Sequence, residues 1–171
     1  MKTKIIIILV VVILIALSVL AVKKHIDSSV VDKYGMVKTP EDDIILCRYS
    51  SGGGMDGEYE TLEICESENG GAVVTYECSR ITTGKDYSES VEVPYEALSK
   101  IRAICKKHSI FSWGKLKDSE AILLDGPVTS VTVSAGDMSY TYNSNQEIPE
   151  YACGITTELY NVMYNYLKGV D

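Results

Sequence analysis

The hydrophobic pattern begins with an uninterrupted apolar run near the start of the chain. Residues 5–22 read IIIILVVVILIALSVLAV and carry no charge. At ~1.5 Å of rise per residue, a helix over this run is about 27 Å long, close to the ~30 Å thickness of a bilayer's hydrocarbon core. The pattern therefore predicts an N-terminal transmembrane helix within a membrane-anchoring segment, residues 1–25. This helix would hold the protein in a membrane.

Basic residues lie on both sides of this run. Lys2 and Lys4 precede it, and Lys23 and Lys24 follow it. A short basic start followed by an apolar run also fits a cleaved secretory signal peptide, but this run is longer than the ~7–15 apolar residues of such signals. We interpret it as an uncleaved signal-anchor and keep the cleaved signal as the alternative. The positive charges do not decide the orientation. The secretory type of start predicts a single-pass protein of the cell envelope whose domain is extracytoplasmic.

The pattern after the run changes twice. Residues 26–43 are polar, without a sustained period, and predict a linker. Residues 44–171 form the predicted soluble domain, and its first half shows the two-residue alternation of half-buried strands. Four strands are predicted before residue 94, and a hairpin follows at 131–142 with its turn at Gly136 and Asp137.

The pairing of these strands is predicted from the turns and from the apolar faces. A three-residue loop at 69–71 pairs Glu68 with Ala72 and Ile64 with Tyr76. By the same reasoning the next turn pairs Tyr76 with Val91. All three strands then place their apolar residues on a common face.

Two segments have the 3.6-residue period of amphipathic helices. The first begins after Pro94 and places its apolar residues in one stripe: Ala97, Leu98, Ile101, Ile104, Cys105 and His108. The second begins at Pro149-Glu150, where Gly154 either destabilises the first turn by ~1 kcal/mol or marks a later start. The order β-β-β-β-α-β-β-α predicts an α+β domain, an antiparallel sheet of about six strands with two helices on one face.

Charge and cysteine content exclude several classes of function. From Ile26 onward the chain has 12 Lys or Arg and 24 Asp or Glu residues, a net charge of −12. Such an acidic domain repels phosphate backbones, so we expect no nucleic-acid partner. The five cysteines are widely spaced, and no C-x-x-C pair occurs. We therefore expect neither a zinc cluster nor thioredoxin-like chemistry, and no cofactor.

Two patterns keep an enzymatic alternative open. Cys105 and His108 lie one helical turn apart, as a nucleophile and its general base require, although their stripe is otherwise apolar. Asp56, Glu58 and Glu60 alternate as in a calcium loop, but Thr61 stands where that loop needs glycine. The first pattern would support a thiol-dependent hydrolase and the second a metal-dependent one. We expect Cys105 and His108 to pack in the core, and we expect the acidic residues not to form a metal site.

Tyrosine is the most suggestive surface feature, with 12 tyrosines against one Trp and one Phe. Tyr160 and Tyr164 border the apolar stripe of the last helix beside Asn161, and tyrosine with asparagine suits recognition surfaces. The glycine-rich loop at 52–57 is typical of a flexible hairpin connection, and the alternative is a loop that lets a ligand or a partner's backbone approach closely. The candidate binding residues are Gly53, Gly54, Asp56, Tyr160, Asn161 and Tyr164.

These features together predict a non-catalytic binding or interaction module held at a membrane. The alternatives are the small membrane-anchored hydrolase and a structural subunit that docks on a protein partner through its sheet or its tyrosine-bearing helix.

Overall fold

A computed structural model describes residues 39–53, 57–81, 83–119 and 127–170. Its strands are β1 (Ile44–Gly52), β2 (Glu58–Glu66), β3 (Ala72–Arg80), β4 (Lys85–Val93), β5 (Val128–Ala135) and β6 (Met138–Asn143). Its α-helices are α1 (Tyr95–Lys107) and α2 (Ile155–Lys168). The predicted α+β class and element order are confirmed. The predicted transmembrane helix lies outside the described residues, and within them no helix is long and apolar enough to cross a bilayer.

The six strands form one antiparallel sheet in the order β4-β3-β2-β1-β5-β6. Strand β1 lies in the middle because it pairs with β2 on one side and with β5 on the other. The chain reaches β4 through successive hairpins, and α1 lies between β4 and β5 in the sequence. Consecutive antiparallel strands need only short turns, whereas the passage from an edge strand to a distant position uses a helix.

The predicted register of the first three hairpin strands is wrong by two residues. The structure pairs Glu66 with Ala72 and Ile64 with Val74, and it pairs Val74 with Val91 in the next hairpin. The turn is longer than predicted because the backbone N–H of Ser67 donates a hydrogen bond of 3.0 Å to the carbonyl oxygen of Gly71. A shift of two residues keeps every side chain on its predicted face, since the strand period is two.

The second hairpin follows its prediction. Val131 pairs with Tyr142 and Val133 with Tyr140. Gly136 has φ of 56°, a left-handed conformation that glycine adopts without steric penalty. The glycine at this turn was therefore a sufficient signal to predict the position of the hairpin.

The core lies on one face of the sheet, under both helices. Its fully buried side chains come from four strands and both helices, among them Cys47, Leu62, Val74, Val133, Ile101 and Leu159. The opposite face carries polar pairs such as Thr75 with Ser90, whose hydroxyl oxygens are 3.0 Å apart. Cys65 belongs to this open face and Cys78 to the core face, so the two thiols point in opposite directions, as predicted.

Helix α1 is held to the start of the domain by polar contacts. The Arg102 guanidinium donates two hydrogen bonds to the Ile44 carbonyl oxygen, at 2.9 and 2.7 Å. Lys106 forms an ion pair with Asp42 at 3.0 Å. Asp42 lies in a 3-10 helix, Pro40–Asp43, at the end of the predicted linker. The compact unit of the structure begins at Pro40.

Helix α2 starts later than Pro149-Glu150. A 3-10 helix occupies Glu150–Ala152, and Gly154 then turns the chain with φ of 93° before the α-helix begins at Ile155. Of the two outcomes considered for Gly154, the later start is the one observed. Thr156 and Tyr160 of this helix contact Tyr142 of β6 and Tyr49 of β1.

Candidate functional site

A cavity of about 500 Å³ opens where the N-terminal half of α2 passes over one end of the sheet. The sheet contributes Tyr49 from β1, Thr129 and Val131 from β5, and Tyr142 and Asn143 from β6. The connection after β6 contributes Ser144, Gln146 and Ile148, and α2 contributes Thr156, Thr157 and Tyr160. We call this set of residues the tyrosine pocket. Its volume lies within the ~300–1,000 Å³ typical of small-molecule sites.

Among the described residues, the pocket wall carries hydroxyls and amides but no charged side chain. Seven of its eleven residues bear a hydroxyl, two bear an amide, and two are aliphatic. This composition is unusual for a chain in which 23% of residues are charged. A wall of this kind forms hydrogen bonds to a ligand but gives no compensation for burying a charge, so it favours uncharged ligands.

Hydrogen bonds and ring contacts hold the wall in shape. The hydroxyls of Tyr142 and Thr156 are 3.1 Å apart, which ties β6 to α2. The Tyr49 and Tyr160 rings meet edge to face with centroids 4.8 Å apart, a geometry that contributes ~0.5–1.5 kcal/mol beyond area burial. The pocket is therefore bridged from the sheet to the helix at two points.

Burial changes the titration of two phenols in the pocket, Tyr142 and Tyr160. It raises the pKa of Tyr142 well above the ordinary value for a phenol, and it also raises the pKa of Tyr160, with further upward contributions from Glu60, Tyr49 and Tyr164. Both hydroxyls are thus protonated near neutral pH and act as donor and acceptor at once.

The candidate binding residues fall in different places. Tyr160 lines the tyrosine pocket, and Tyr164 stacks on it with ring centroids 5.6 Å apart and planes 13° from parallel. Asn161 is exposed on α2 and does not line the pocket. Gly53 follows β1, exposed and with φ of 92°. Gly54 and Asp56 lie outside the described residues.

Sequence reasoning missed most of this pocket. It placed Tyr142 in the hairpin core, and it did not consider Tyr49 or the polar run Asn143–Gln146 as parts of a site. A usable signal was present in the run NSNQ, which joins a core strand to the last helix with four uncharged polar residues. That signal does not identify the residues of β1, β5 and α2 that complete the wall.

The Cys105 and His108 pair is packed into the core. Cys105 is fully buried and His108 is 3% exposed. Burial, followed by the nearby Glu41 carboxyl, raises the pKa of Cys105 to about 12, which disfavours the nucleophilic thiolate. His108 Nε2 lies 3.5 Å from a Glu158 oxygen, and neither ring nitrogen forms a hydrogen bond within the described part of the chain. This geometry gives the thiol-hydrolase alternative no accessible nucleophile.

The acidic loop gives the metal-dependent alternative no further support. Among residues 39–53, 57–81, 83–119 and 127–170, no three His, Cys, Asp or Glu side chains are grouped closely enough to hold a metal ion. Glu60 instead accepts a hydrogen bond of 3.4 Å from the Tyr76 hydroxyl. Asp56, the first residue of the calcium-like pattern, is not described.

Comparison with known proteins adds no assignment, since the sequence matches no protein-family model and no curated protein.

Proposed function

We propose that this protein is a membrane-tethered, single-pass binding module of the cell envelope, whose extracytoplasmic domain holds a small uncharged ligand in the tyrosine pocket without transforming it. The observation that carries the proposal is the composition of the pocket wall, whose described residues offer hydroxyls, amides and aromatic rings and no charge. The apolar run at residues 5–22 supports the tether.

The side chains of the described residues support binding more than catalysis. The two groups best suited to nucleophile and base, Cys105 and His108, are buried in the core and do not line the pocket. In the part of the chain that the structure describes, the wall contains no His, Cys, Asp, Glu or Lys side chain that could transfer a proton near neutral pH. Hydroxyl and amide groups orient a ligand, and the tyrosine rings supply the apolar surface.

The test uses the full chain in lipid nanodiscs and a panel of small uncharged probes: glucose, N-acetylglucosamine, myo-inositol and N-acetylproline amide. Saturation-transfer NMR reports which probe binds. We expect at least one probe to bind the wild type and to be lost in Thr157→Tyr, which places a ring at the exposed mouth of the pocket.

The matched control is Asn165→Tyr, which adds the same ring on the exposed side of α2 two turns further along. It should leave binding unchanged. The proposal is overturned if no probe binds, or if Thr157→Tyr and Asn165→Tyr bind the probes as the wild type does.

A further inference from the structure

Two side-chain amides in the tyrosine pocket have their oxygens already engaged. The backbone N–H of Asn143 donates to Gln146 Oε1 at 3.1 Å, and the backbone N–H of Asn145 donates to Asn143 Oδ1 at 2.9 Å. Only the oxygen of an amide accepts such a bond, so the contacts decide which end of each amide is which. The NH₂ groups of Asn143 and Gln146 form no hydrogen bond to any described residue, so four N–H donors remain for a ligand.

These donors select for a ligand with carbonyl acceptors. A ligand hydroxyl can also accept these hydrogen bonds, but its own O–H then needs an acceptor in the pocket. An amide carbonyl oxygen accepts through two lone pairs and has no O–H that needs an acceptor. The same wall contains the aliphatic side chains Val131 and Ile148, which suit a methyl group. An acetamido group combines a carbonyl oxygen with a methyl group on one rigid plane.

The remaining wall selects for a hydroxylated, uncharged body. Hydroxyls of serine, threonine and tyrosine donate and accept, which is the complement of a sugar's own hydroxyls. The Tyr160 ring contacts Tyr49 edge to face and stacks on Tyr164, so it adds to the wall an aromatic surface whose orientation is already fixed before a ligand binds. A sugar ring has an apolar C–H face that fits such a surface.

We propose that the tyrosine pocket binds an uncharged N-acetylated sugar, with the NH₂ groups of Gln146 and Asn143 donating to the acetamido carbonyl. This inference rests on the proposed function, because it names the ligand class of the same pocket. A peptide also carries amide carbonyls, but it brings few hydroxyls to match the seven in the wall.

The experiment compares N,N′-diacetylchitobiose with cellobiose, two uncharged disaccharides that differ only where acetamido groups replace hydroxyls. Binding is measured by isothermal titration to the full chain in nanodiscs, prepared without glycoside detergents because their headgroups are sugars. We expect diacetylchitobiose to bind at least about tenfold more tightly than cellobiose, the effect of roughly one hydrogen bond.

The informative variant is Gln146→Glu, which keeps an oxygen for the Asn143 N–H but replaces the NH₂ donors by a negative charge. It should weaken diacetylchitobiose binding about tenfold or more. Asn143→Asp makes the same change at the second donor and serves if the first variant does not fold. The control Asn165→Asp makes the same chemical change at an exposed position outside the pocket and should bind as the wild type does.

The outcomes separate this inference from the function on which it rests. Equal affinity for the two disaccharides, or unchanged affinity in Gln146→Glu and Asn143→Asp, overturns the acetamido assignment. A third outcome is that N-acetylproline amide binds, that Thr157→Tyr abolishes this binding, and that neither disaccharide binds. This result overturns the proposal of a sugar ligand but is consistent with the proposed binding module. Failure of every probe, including the wider panel above, overturns both.

Discussion

Truncation of Leu62 tests which face of the sheet is the core. Its side chain is fully buried on β2, between Tyr49 of β1 and Tyr76 of β3 in the register. Leu62→Ala removes buried methyl groups and leaves a cavity in a close-packed interior, which destabilises a domain by ~2–5 kcal/mol. A loss of about 3 kcal/mol lowers the unfolding midpoint of a domain of this size by roughly 10 °C.

The assay is urea unfolding of residues 26–171, followed by the fluorescence of Trp113 and by circular dichroism. Trp113 lies 5.4 Å from Tyr142, centroid to centroid, so its emission reports on tertiary packing. We expect Leu62→Ala to lower the midpoint concentration of urea with the slope of the transition unchanged, as for a change in stability alone.

The matched control is Thr75→Ala on the opposite face of the sheet. Its hydroxyl forms an exposed hydrogen bond of 3.0 Å with that of Ser90, so its removal should change stability by less than ~1 kcal/mol. Equal losses in the two variants would refute the reasoning. They would mean that the second face is buried as well, against another copy of the chain, and would favour the structural-subunit alternative.

Three further outcomes are expected. The full chain should sediment with membranes while residues 26–171 stay soluble, and a soluble full chain would restore the cleaved-signal interpretation. Cys153, which is exposed, should react with iodoacetamide in the native protein within minutes, whereas buried Cys47 and Cys105 should react only on unfolding; early labelling of Cys105 would contradict its packing. Because burial raises the pKa of Tyr142, the folded state keeps its phenolic proton after the unfolded chain has lost it, so stability should fall as pH rises above ~10. Tyr142→Phe should show a shallower alkaline decline in pH-dependent thermal unfolding, and an equally steep decline would exclude Tyr142 as the cause.

The sequence by itself determined which side of each strand is apolar. Side chains alternate with a period of two, so Leu62 and Ile64 had to share a face whatever their partners. Burying Val74 on the same face then excluded any one-residue slip between their strands. The same local logic placed α1 directly after Pro94 and the second hairpin turn at Gly136, because these signals act within a few residues of the chain.

The two-residue error in register shows where local information ends. Pairings that differ by two residues bury the same faces, so the apolar pattern could not distinguish Ile64 with Tyr76 from Ile64 with Val74. The backbone hydrogen bonds across the Ser67–Gly71 turn distinguish the observed pairing from the predicted one. Likewise, the central position of β1 depends on its pairing with β5, about eighty residues further along the chain.

The candidate site belongs almost entirely to the tertiary structure. Tyr160 was recognisable as a border residue of α2, but the cavity beside it is assembled from β1, β5, β6 and the connection to α2. Strand β1 precedes the other wall segments by about eighty residues, and only its pairing with β5 brings Tyr49 and Tyr142 to one end of the sheet. The sequence determined the chemistry available to the wall, whereas the packing of α2 over that end decided that its hydroxyls and amides face one another across a cavity.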